Sequence, residues 1–405
     1  MPAQVLDGIH VLDLSRVLAG PWATQTLADM GAEVIKIERP GRGDDTRAWG
    51  PPFAQDGAGN ETAAYFLSAN RGKKSVTIDI AHVAGQDLVR RLAQRTDILV
   101  ENYKVGGLKR YGLDYDSLAK LNPRLIYCSI TGFGQSGPYR DRAGYDFMIQ
   151  GMGGMMSITG ERDAEPGGGP QKAGVAVADL VTGLYSTIAI LGALQHRNQT
   201  GQGQHIDMAL LDCQVAMLAN VSLNYLVSGQ IPQRQGNAHQ NIVPYQVFKC
   251  KDGHLILAVG NDEQFARFCS EVNMAGLAKD ARFATNQARV ENREALIPIL
   301  QEAFMARERD AWLKALEDLG VPCGPINNLE QVFSDPQVVA RGLKLSLQRL
   351  QGDAVPGVAS PMRYSRTPIQ TQSAPPMLGQ HTKEVLLDLG LSELELSALQ
   401  SAKTI

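Results

Sequence analysis

Residues 9–15 and 32–38 are short, dense runs of Ile, Val and Leu with strand composition, and they flank a stretch of different character. That stretch, residues 20–31, has Pro21 at a first-turn helix position and Gly31 as a stop, so the three together predict a βαβ unit. Residues 75–80, 97–102 and 124–130 repeat the strand pattern, separated by helical patterns such as residues 83–95. Strands alternating with helices predict an α/β fold, a Rossmann-like doubly wound parallel sheet.

The pattern changes after about residue 228. Residues 231–246 are rich in turn formers, and 247–260 hold two strand runs joined at Lys251-Asp252-Gly253, a hairpin signal. Helical segments follow to about residue 319, which predicts a second, smaller α+β domain over 228–330.

The longest apolar stretch, residues 172–194, is broken by Asp179, Thr182, Tyr185 and Ser186 and is expected to be a buried helix rather than a membrane span. Asp179 has two readings. It caps the helix, as Asp often does, or it is a nucleophilic carboxylate, with Gly183 one turn on allowing close approach of a ligand.

Composition narrows the field. The 405 residues exceed what one core usually holds, in keeping with two domains. A net charge of −3 without long runs of Lys or Arg argues against nucleic acid as a partner. Five cysteines without a CxxC pair suit free thiols in a reducing compartment, so a cytoplasmic location is expected, and residues 1–15 lack a signal-peptide pattern. The seven histidines lack metal-ligand spacing, and no metal is expected.

Residues 15–25 fall at the first β-to-α turn, an anion site in doubly wound folds, but lack the GxGxxG of nicotinamide-dependent enzymes. Glu38 stands about where a ribose-binding acid would lie. Arg39, Arg42, Arg47, Arg71, Lys73, Lys74, Lys104, Lys109 and Arg110 fall near strand ends, which suits either a solvated basic rim or a multiply phosphorylated ligand. Residues 129–146 form a Gly-rich segment after a strand, typical of a functional loop.

The stretches LDLSRVLAGPWATQTLADMGAEVIKIERPGRGDDTR, NRGKKSV, ILVENY, NPRLIYCSITGFGQSGP, AGYD, ADLVTGLY and GVPCGPINN together resemble the class III CoA-transferases over essentially the whole chain. The resemblance implies an interlocked homodimer, a large domain of residues 1–227 and 331–405, and Asp179 as nucleophile. It implies CoA contacts at Val17, Leu18, Ala19, Arg39, Lys73, Asn102, Tyr103 and Arg110, with CoA and acyl-CoA as substrates and no tightly bound cofactor. Racemases of this fold carry a His where Tyr145 stands here, and losing one of a base pair argues against that alternative. The sequence AVGNDEQF replaces the glycine-rich loop of formyl-CoA transferases, which argues against formyl or oxalyl substrates.

Further stretches, GDDTRAWGPPF, IVPYQVFKCKDG and GPINNLEQVFSDPQV, resemble the family members that use dicarboxylates. They imply transfer of CoA from succinyl-CoA to an acid such as glutarate through an aspartyl anhydride and an aspartyl-CoA thioester. A second carboxylate needs a cation or donors, for which Arg47, His239 and Tyr245 are the expected residues. Backbone N–H groups of residues 151–154 or 259–262, Gly260 among them, are the expected oxyanion donors.

Overall fold

Six strands, β1 (His10–Asp13), β2 (Glu33–Glu38), β3 (Lys73–Thr77), β4 (Ile98–Glu101), β5 (Ile126–Thr131) and β6 (His205–Ala209), form one parallel sheet in the order β3-β2-β1-β4-β5-β6. The computed structural model describes residues 4–55, 59–350, 352–370 and 373–405. Both faces of the sheet are covered. Val11, Val34, Ile98 and Ile126 pack on one side against α1 (Ala19–Asp29) and α4 (Val177–Thr200). Leu12, Val76, Leu99 and Tyr127 pack on the other side against α2 (Val83–Gln94) and the C-terminal residues Val385 to Leu396. Double-sided burial is why these strands read as continuous apolar runs.

The chain divides into two compact units. The first runs to Gly153 and adds Gly174–Met217 and Pro336–Ile405; the second is Gly154–Ala173 with Leu218–Asp335. The second unit thus starts earlier than residue 228 and takes in a separate piece. The physical reason lies in hydrogen bonds without a sequence signal, such as Gly236 N–H to Gly160 O at 3.1 Å and Arg234 Nε to Glu161 O at 3.2 Å.

In the first unit, the long helix α4 starts at Val177 and crosses α1, burying Ala178, Thr182, Gly183 and Ser186. By length and composition alone it could span a membrane, but here that face packs against α1 while Leu184, Tyr185 and Ile188 stay exposed. Gly183 is a packing residue and not the ligand-approach point expected from sequence, since a Cβ there would lie 2.8 Å from Ala19 O. Gly183→Ala is therefore expected to cost about 1–3 kcal/mol of stability by overpacking, read as a fall in the denaturant midpoint.

In the second unit, β7 (Tyr245–Lys249) and β8 (His254–Ala258) form the antiparallel hairpin, with β9 (Cys323–Pro325) beside β8. An aromatic core closes over it. The Phe248 and Phe304 rings stack 4.7 Å apart, and Trp312 Nε1 donates to Phe304 O at 2.9 Å.

Candidate active site

The strand order reverses between β1 and β4, and in open parallel sheets ligands bind in the crevice at the carboxyl ends flanking such a reversal. A cavity of about 960 Å³ opens there within the first unit. It is walled by the turns after β1, β2, β3, β4 and β5, and Asp179 reaches it from the first turn of α4. Val17, Leu18, Ala19, Arg39, Asn102, Tyr103, Arg110 and Tyr145 all line it, so most of the residues singled out from sequence meet in one place.

Asp179 is not a helix cap. The N-cap position belongs to Ala176, and Asp179 is the third helical residue. The cap comes from elsewhere: Asp146 Oδ1, at the start of α3 (Asp146–Met152), accepts the Ala178 N–H at 2.8 Å. The Asp179 carboxylate is left without a hydrogen bond or ion pair among the described residues. Burial, and then the like charge of Asp146, pushes its pKa from 3.8 up to about 7. Such a carboxylate is more basic than usual and unencumbered, as a nucleophile or a base must be.

Close backbone approach brings the Gly-rich loop into this wall. Gly132 and Gly144 lie so near each other that a Cβ on Gly132 would sit 2.5 Å from the Gly144 Cα, and this crossing precedes Tyr145 and Asp146 directly. Tyr145 is 66% exposed at the cavity rim. Nearby Tyr65, half-buried and edge-on to Trp49 at 5.3 Å, has its phenol pKa raised by burial and then by the charges of Asp179, Asp146 and Asp44. It stays protonated and can donate.

The basic residues split into two populations. Arg39, Arg42, Lys104 and Arg110 are exposed at the cavity, where anionic groups can reach them. Others face inward, contrary to the expectation. Lys73 is fully buried, and its ammonium donates to Asp13 Oδ2 (3.0 Å), Pro21 O (2.9 Å) and Asn70 Oδ1 (2.9 Å), leaving nothing for CoA. Burial pushes its pKa down to about 8 against the pull of Asp13.

Arg47 is likewise spent: it pairs with both oxygens of Glu38, at 2.8 and 2.6 Å, and lies 3.7 Å from the Phe66 ring centre. That pairing removes Arg47 as the cation for a second carboxylate and Glu38 as a ribose ligand. Arg71 is paired with buried Asp29.

His239, Tyr245 and Gly260 belong to the second unit. His239 N–H donates to Tyr245 O at 2.9 Å and their rings lie 5.2 Å apart, so these two do come together. The Gly260 N–H already donates to Gln264 Oε1 at 2.7 Å and is not a free oxyanion donor. Nor is that of Gly153, which caps α3 through Ile149 O at 2.7 Å.

Sequence reasoning passed over Asp146, Tyr65 and Glu101. Glu101, at the end of β4, is buried, accepts the Tyr103 N–H at 2.7 Å, and has its carboxyl pushed up by burial to about 7. An acid closing an otherwise apolar strand was the available signal for Glu101, and Asp146 ends the AGYD stretch, but nothing local marked Tyr65.

Comparison with known proteins identifies the family. A family model for CoA-transferase family III matches residues 6–382. A succinate–glutarate CoA-transferase of Agrobacterium fabrum is 54% identical over 385 residues, covering 95% of each chain. The succinyl-CoA:glutarate CoA-transferase of Homo sapiens is 45% identical over 386 residues, 95% of this chain and 86% of that one. Among solved structures, a CAIB/BAIF family protein from Brucella suis superposes with a TM-score of 0.84 at 53% identity, over 95% of this chain and 99% of that one.

Proposed function

Since the chain belongs to CoA-transferase family III, we propose that it moves CoA from succinyl-CoA to a dicarboxylic acid such as glutarate, with Asp179 as the nucleophile. One observation carries the reading: an unpartnered, partly desolvated carboxylate in the wall of a cavity whose free charges are otherwise mostly cationic.

The steps balance without water or ATP. An Asp179 oxygen attacks the thioester carbonyl, the C–S bond breaks, and CoA leaves as the thiolate with the bonding pair. The thiolate then attacks the aspartyl carbonyl of the mixed anhydride, expelling succinate and leaving an aspartyl-CoA thioester. The acceptor carboxylate attacks that thioester and the two steps run backwards. No proton is consumed, and one thioester replaces another, so the overall energy change is small. The protein's tasks are to keep Asp179 ionised but poorly solvated and to exclude water from the anhydride.

The CoA phosphates are matched by Arg39, Lys104 and Arg110, and by amides at the start of α1, where the Leu18 and Ala19 N–H groups make no hydrogen bond among the described residues. Exposed Leu184, Tyr185 and Ile188 on α4 support a homodimer in which a second copy covers them. The free cysteines support a cytoplasmic setting. Tyr145 at the rim, in place of a histidine base, speaks against racemisation.

Incubating the enzyme with succinyl-CoA and glutarate in deuterated buffer tests the reading. Glutaryl-CoA without deuterium at its α-carbon is the expected product. Deuterium exchange into an acyl-CoA without CoA transfer would reject it in favour of an isomerase.

A further inference from the structure

The chain leaves β1 through a turn it would not adopt unaided. Val17 has φ +73°, in the left-handed region, which is a true outlier for a β-branched residue. Strain of this kind persists only where the surroundings over-determine it, and here three side chains from other parts of the first unit do so. Lys36 Nζ donates to Ser15 O at 2.8 Å and pairs with Asp44 Oδ2 at 2.9 Å. Asp44 in turn accepts the Val17 N–H, 3.3 Å from each of its oxygens. Asn102 grips the backbone of Arg16 from both sides: its Oδ1 accepts the Arg16 N–H at 2.9 Å, and its Nδ2 donates to Arg16 O at 2.7 Å.

None of the three has much left to offer a ligand. The Lys36 side chain is fully buried, and its charge lies beneath the turn rather than in the cavity. Asp44 also accepts from the Thr46 N–H and hydroxyl at 3.0 and 2.8 Å. Asn102, expected from sequence to touch CoA, has both amide atoms committed to Arg16. Directly after the turn come Leu18 and Ala19, which line the cavity and whose amides make no hydrogen bond among the described residues.

We propose that Lys36, Asp44 and Asn102 are positioning residues for the acyl-CoA site, acting on the ligand only through the strained 15–18 turn whose amides they preset. The proposal rests on the family-based reading for the identity of the ligand. Its energetics follow from preorganisation: a turn already held in the binding conformation pays no ordering cost when the anion arrives. Because all three groups act through the same few backbone atoms, removing one should blunt the effect of removing another.

The experiment is a double-mutant cycle in CoA affinity, measured by calorimetry with CoA itself on the full-length protein. Asn102→Ala and Lys36→Met are each expected to weaken CoA roughly tenfold. The double variant should be only slightly weaker than the poorer single one, and KM for glutarate should stay unchanged in both singles. Losses that multiply in the double variant, or an Asn102→Ala protein with wild-type affinity, would overturn the proposal, because a direct CoA ligand would act independently of buried Lys36.

If Lys36→Met does not fold, Val17→Gly replaces it. Glycine takes φ +73° without strain, so Asn102→Ala should cost less in that background than in the wild type, and an equal cost overturns the idea. Wild-type protein that binds CoA but transfers none would sink the proposed reaction while leaving the cycle interpretable. Absence of CoA binding would sink both.

Discussion

Asp179→Asn is expected to lower CoA transfer by at least about a thousandfold, the scale on which removal of a covalent nucleophile acts, with CoA affinity unchanged to about twofold. The substitution keeps the shape of the side chain and removes only its capacity to attack. Since Asp146, not Asp179, caps α4, the helix start survives the change. Mass spectrometry after mixing with succinyl-CoA should find a succinyl or CoA adduct on the peptide containing residue 179, absent in the variant. Retention of more than about a tenth of the activity would mean that the carboxylate does not form the covalent bond.

The same variant has a stability signature of definite sign. The folded carboxyl titrates near 7 and the unfolded one near 3.8, so between those values the native state holds the extra proton. Stability is then lost as pH rises through that window, because a poorly solvated charge must be carried at higher pH. Asp179→Asn should accordingly raise Tm relative to wild type at pH 8 and not at pH 3. A lower Tm at pH 8 would show that the charge is compensated by a partner.

Much of this could be read from the chain because the physics is local. Strands buried on both faces announce themselves as apolar runs, and the turn after each one supplies cavity wall by topology alone. What could not be read were choices made between distant residues. A basic residue at a strand end has the same one-letter signature whether it faces solvent, as Arg39 does, or spends its charge inside, as Lys73 does on Asp13 and Arg47 on Glu38. Gly183 looked like room for a ligand and is room for α1. Asp179 looked like a cap because the residue that takes that role, Asp146, stands at the start of α3 and reaches Ala178 only in the folded chain. The Asn102 amide likewise holds the Arg16 backbone across the sheet reversal, a pairing with no signal in the sequence.

Transfer should rise with pH through a midpoint near 7 and level off above it. The nucleophile is the ionised form of Asp179, whose pKa is pushed up first by burial and then by Asp146. Below the midpoint the rate falls tenfold per unit, so at pH 5 it should be about a hundredfold lower than the plateau. Asp146→Asn separates the two causes. An amide oxygen can still accept the Ala178 N–H that Asp146 Oδ1 now accepts at 2.8 Å, so the helix keeps its cap while the like charge is gone. The midpoint of the kcat profile should then move down, yet remain above the ordinary aspartate value of 3.8, because burial is the larger cause. The plateau rate should fall with it, since a less basic carboxylate is a weaker nucleophile once ionised. A wild-type profile flat from pH 5 to 8 would mean that substrate binding restores the carboxylate's ordinary acidity, through a cation or donor brought in with the acyl-CoA. A midpoint unmoved by Asp146→Asn would assign the whole shift to desolvation.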